Sequence, residues 1–142
     1  MLASTILDFL DRAISISQGG AEYVLLRPNE VRDVGDAPLL FAVDAREQRT
    51  RYATETTAIT TCVGVIVVSA RADVGLGAVD EACRALVELL APVACRALVA
   101  PGFPARVYSH GARREPCAVA NGRYCATLLI DLELEEELYY GG

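Results

Sequence analysis

Residues Tyr124–Glu137 read YCATLLIDLELEEE. From Cys125 to Glu135 the chain alternates. One set is Ala126, Leu128, Ile130, Leu132 and Leu134; the other is Thr127, Leu129, Asp131, Glu133 and Glu135. A period of two is that of a strand, whose successive side chains point to opposite faces. The first set is a core face. The second begins apolar and turns acidic, so it faces water, a channel or an arginine-bearing neighbour. A solvated sheet face with solubilising acids is the plainest account of it.

Just upstream, ARVYSHGARREP (Ala105–Pro116) supplies a strand, and the turn at Asn121-Gly122 joins it to the last one. AITTCVGVIVVSA (Ala58–Ala70) is the strongest strand signal in the chain. It is β-branched on both faces, which predicts that both are at least partly covered. Between these strands, from about Val74 to Ala91, the period turns helical. Leu76, Val79, Cys83, Leu86, Val87 and Leu90 form the stripe, and Pro92 weakens or kinks its end. VACRALVAPGFP (Val93–Pro104) fits a further short helix before a Pro-Gly turn.

Towards the N-terminus, LLFAVDA (Leu39–Ala45) and AEYVLLRP (Ala21–Pro28) read as strands. Leu2–Ile16 reads as an amphipathic helix with Ile6, Phe9, Leu10, Ala13 and Ile14 on one stripe, stopped by Gly19-Gly20. REQRTRYATETT (Arg46–Thr57) joins two strands without an apolar face, as a long hairpin arm or a flexible loop. The expected architecture is α+β. It has a mixed or antiparallel sheet of about five strands with two main helices on one face, in one domain over residues 1–142.

Composition narrows the function. The net charge is −6 and all the cationic side chains are arginine. That balance argues against a dedicated nucleic-acid binder. The hydrophobic fraction of 53% is high for a monomer and points towards a buried subunit interface. Five cysteines occur without a CxxC pair or a secretory leader. They read as reduced core residues in a cytoplasmic setting. The longest apolar run, Cys62–Ala70, is too short to span a bilayer.

Chemistry is sparse. His110 is the one histidine, and the neighbouring Ser109 should point to the opposite face. No set of metal ligands has the right spacing. Gly75 and Gly77 open like a dinucleotide fingerprint, but Asp80 stands where the third glycine belongs, and an acid there opposes a pyrophosphate. No catalytic, cofactor or metal site is therefore expected. The cluster His110, Tyr108, Arg113 and Arg114 is the one to test in a small ligand-binding or enzymatic domain. Arg106, Arg113, Arg114 and Arg123 gather near the last hairpin, where arginines facing acids on another subunit make the better account.

Four stretches carry a family likeness. They are LASTILDFLDRAI, APLLFAVDAREQRTRYATETTAITTCVGVIVVSA, LGAVDEACRALVELLAPV and RVYSHGARREPCAVANGRYCATLLIDLELEEE. In order and length of elements, across most of the chain, the sequence resembles the tail terminator proteins of long-tailed bacteriophages. The likeness is one of pattern, without signature residues, and head-completion and neck adaptor proteins share much of it. It implies a structural virion protein, not an enzyme. Such a protein is assembled in the host cytoplasm and forms a homo-oligomeric ring, expected to be sixfold. The ring caps the tail tube, stops its polymerisation and offers the joint to the head connector.

The resemblance also implies roles for residues. The arm, with Arg46, Glu47, Arg49, Arg51 and Glu55, would touch the tube protein or a neighbouring subunit. Asp131, Glu133, Glu135, Glu136 and Glu137 would line the lumen or an interface, letting DNA pass without specific binding. Arg113, Arg114 and Arg123 would serve at subunit interfaces.

Overall fold

The structure is a computed structural model that describes residues 2–20, 22–30, 37–52, 54–55, 57–90, 106–115, 118–120 and 122–137. Among the described residues, two helices and six strands run in the order α1 (Leu2–Gln18), β1 (Val24–Leu26), β2 (Leu39–Tyr52), β3 (Thr57–Arg71), α2 (Leu76–Leu89), β4 (Arg106–Arg114), β5 (Ala118–Ala120) and β6 (Arg123–Glu137). The sheet order is β1-β2-β3-β6-β4, with β5 also paired to β6. β1 runs parallel to β2 and the other pairs are antiparallel, so the sheet is mixed and the fold is α+β.

The helix α1 forms because its apolar residues recur at three and four. Ile6, Phe9, Leu10, Ala13 and Ile14 are all buried against the sheet. It stops at Gly19 and Gly20, whose φ angles of 50° and 95° are left-handed. The Gly19 N–H closes the last turn on the Ser15 carbonyl at 3.3 Å. Arg27, just after β1, ties the polar side of α1 to the sheet edge. Its guanidinium donates to Asp11 at 2.8 Å and also to Asp8.

The second helix starts after Gly75, whose φ of 93° needs a residue without a Cβ. Val79, Ala82, Cys83 and Leu86 are buried, as is Leu90 at the helix end. Leu76 and Val87, expected on that stripe, are exposed instead. At 3.6 residues per turn they fall roughly 60–80° from its centre.

Both helices lie on one side of the sheet. Phe41, Ile66, Val68, Leu128, Ile130 and Leu132 meet them there, fully buried. Ala126, Leu128, Ile130 and Leu132 form the core face of β6, as the alternation requires. Gly64 sits beneath Leu10, where a Cβ would come within 3.3 Å of its side chain, so the glycine sets how closely α1 approaches.

The strand β2 runs on beyond its expected end at Ala45 to Tyr52, through the charged stretch. Arg46–Tyr52 pairs with Ala58–Val63. The stretch is therefore a hairpin arm and not a loop. The short strand β5 was not expected either. The helix expected over 93–104 lies outside the described residues.

Candidate assembly surface

The helices cover one face of the sheet and leave the other open among the described residues. Cross-strand partners share a face, so register places the residues of the open one. Asp44, Val65, Leu129 and Arg113 stand in one row across β2, β3, β6 and β4. Arg46, Val63, Asp131 and Gly111 form the next. Val63, Val65, Val67 and Leu129 are half-buried and make an apolar centre. Asp44, Arg46 and Arg113 are exposed at its flanks. The strand β3 is thus β-branched on both sides but fully buried on only one.

Beyond these rows lies the arm. A β-bulge at Gln48 interrupts the register between Glu47 and Arg49. Plain alternation would send Arg46 and Arg51 to opposite faces. The extra residue brings Arg51, and the backbone position of Arg49, onto Arg46's face. On the other face the Thr50 and Thr60 hydroxyls meet at 3.1 Å. Tyr52, Thr54 and Glu55 are exposed at the tip.

Arg51 approaches Glu133 of the same chain at 3.9 Å. Both ends of this pair are partly exposed, so it contributes little to stability. The described open face carries Asp44, Asp131 and Glu133 beside Arg46, Arg51 and Arg113, with Arg71 and Arg123 registered at its other end. The acids there lie among arginines, not alone. Glu135, Glu136 and Glu137 pair through their backbones with Ile59, Ala58 and Thr57. Their side chains, like that of Arg49, lie outside the described residues.

The expected interface arginines divide. Arg113 registers with Leu129 and belongs to the open face. Arg114 registers with Leu128 on the helix side, where it pairs with Asp80 of α2 at 2.5 Å. The acid that spoils the glycine fingerprint thus has a structural partner. Asp80 and Arg114, with Cys83, Arg84, Val87 and Glu88, line a depression of about 440 Å³. Arg123 is held within its own chain. It donates to the Ser69 hydroxyl at 2.8 Å, the Ala37 carbonyl at 2.8 Å and the Ser69 carbonyl at 3.3 Å.

Of the cluster singled out for an enzyme, Arg113 and Arg114 go to opposite faces, and the side chains of Tyr108 and His110 lie outside the described residues. Burial, and next the charge of Glu47, pushes the Cys62 thiol up to about 11, so it stays protonated and inert at neutral pH. Among the described residues, no set of three or more potential metal ligands converges, and no helix is long and apolar enough to cross a membrane. No protein family matches this sequence, and no curated protein is significantly similar to it.

Arg123 gives a direct prediction. Three donated bonds link β6 to β3 and to the residue before Pro38, two of them to the buried Ser69. Replacing Arg123 with Ala should cost about 2–3 kcal/mol, since hydrogen bonds from a charged group are worth more than neutral ones. Urea unfolding reads it as a lower midpoint at unchanged slope. An arginine serving only an intersubunit contact would leave the midpoint of the isolated chain unmoved.

Proposed function

We propose that this chain is a non-enzymatic assembly protein of a long-tailed bacteriophage. In this reading it forms a ring, of six copies by the family resemblance, on the end of the tail tube. It stops tube growth and offers the joint to the head connector, with DNA passing through the lumen. The observation that carries the proposal is the open sheet face, with its apolar centre and a rim of both charge signs. A chain that works alone has no use for such a face. The hairpin arm supports the same reading. Its bulge gathers arginines towards that face, and its tip is exposed and polar, as a contact that forms on assembly requires.

The placing of the charges divides the acids between two roles. Asp131 and Glu133, lying among arginines, suit a subunit contact. A lumen role then falls to Glu135, Glu136 and Glu137. Changing these three to Gln should lower DNA delivery by assembled particles without lowering particle number, because like-charge repulsion from the lumen wall is lost. Unchanged delivery removes the lumen role.

The test of the whole proposal is tube polymerisation with the purified chain added. Tubes should stop elongating and carry a ring at one end in electron micrographs. Tubes of unchanged length with bare ends would overturn it. Rings that bind a head connector but ignore the tube would point to a neck adaptor instead.

A further inference from the structure

A second copy of this chain fits the open sheet face. We infer that free chains pair face to face about a two-fold axis parallel to the strands, midway between β3 and β6. This goes beyond the ring and does not rest on it, since a ring needs a head-to-tail contact while this contact joins the same patch on both copies.

The charge pattern carries the inference. Such an axis lays β2 on β4 of the second copy, and β3 on its β6. In the first row, Asp44 then faces Arg113 of the second copy, and Val65 faces its Leu129. In the next row Arg46 faces Gly111, which has no side chain, and Asp131 lies one strand away from it. Strands lie about 4.8 Å apart and packed sheets about 10 Å apart, distances that an arginine and an aspartate together can span. Each pair occurs twice, so opposite charges meet at four places around an apolar centre. Two aligned sheets packed in this way form a sandwich.

The residues of β3 point the same way. Val63, Val65 and Val67 are β-branched, as in a strand covered on both faces, yet within one chain they are only half-buried. A second copy supplies the missing cover. The same pairing also makes the patch unavailable to other partners, so ring assembly has to open it.

Sedimentation equilibrium of the chain alone tests this, with no tube protein present. The wild type should be a concentration-dependent dimer. Val65→Arg should abolish the dimer while leaving the circular dichroism spectrum intact, because Val65 points away from the helices. Asp44→Arg and Arg113→Asp should each weaken the dimer by about tenfold. The double variant Asp44→Arg with Arg113→Asp should restore it to within about threefold. A monomer at every concentration overturns the inference. So does a dimer indifferent to Val65→Arg, or one that Arg46→Asp rescues from Asp44→Arg while Arg113→Asp does not, since that pattern requires an axis across the strands. Because tube capping is read in a separate assay, failure here and failure of the ring proposal are distinguishable.

Discussion

Trimming the hairpin arm should leave a folded protein that no longer caps tubes. The variant deletes Arg51–Ile59 and joins Thr50 to Thr60 through Asn-Gly. Thr50 and Thr60 are direct cross-strand partners, so a two-residue loop closes the shortened hairpin in register. A one-sided cut of Arg46–Thr57 would instead remove half the hairpin and leave the start of β3 without its partner. The trim removes the exposed Tyr52, the long Arg51–Glu133 pair, the buried Ala58 and the backbone pairing of Thr57–Ile59 with the end of β6. None of these lies in the packed layer between sheet and helices, and together they contribute about 1–3 kcal/mol. Thermal unfolding should therefore remain cooperative, with Tm lowered by several degrees. Tube lengths in electron micrographs should revert to those of tubes grown without the chain. A trimmed protein that still caps would mean that the contact lies elsewhere.

The fold was legible where one physical cause controlled the residues. Leu128 and Leu129 are chemically identical, yet alternation alone assigns one to the core and the other to the open face, because the described helices cover only one side of β6. The stripe of α1 was readable for the same reason. The strand β2 was read too short. Its second half carries Glu47, Arg49 and Arg51, without an apolar period, and is held in the sheet by backbone pairing with β3, which leaves no side-chain signature. The three residues of β5 are too few to establish a period of two.

The assembly surface was half visible. The acids of β6 and the arginines near the last hairpin stood out as charge. The face of the β6 acids followed from alternation, but those of the arginines did not, because a bulge at Gln48 resets the alternation in β2 and another irregularity lies between Ser109 and Gly111 in β4. Nor could the sequence separate Arg113 from Arg114 and Arg123. Asp80 lies on α2, and the Ser69 and Ala37 groups that hold Arg123 are 54 and 86 positions away in the chain. The doubly β-branched face of β3 was the one sign that the second side of the sheet needs cover, and it implies more cover than a single chain provides.

The neighbouring leucines of β6 turn that point into a measurement. Leu128→Ala should cost about 2–5 kcal/mol, since it opens a cavity in a packed layer where the side chain is fully buried. Domains of this kind have a total stability of about 5–15 kcal/mol, so this one substitution removes a large share of it. Leu129→Ala removes the same atoms from a half-buried position and should cost less than about 1 kcal/mol in the monomer. Denaturant titrations at two protein concentrations separate packing within the chain from cover by a second copy. The Leu128→Ala loss should be the same at both, because its contacts are internal. The Leu129→Ala loss should grow at the higher concentration, because a partner that binds only the folded chain stabilises it by mass action. Equal losses for the two leucines at low concentration would mean that the open face is already covered within a single chain. A Leu129→Ala loss independent of concentration would mean that the second copy does not touch it.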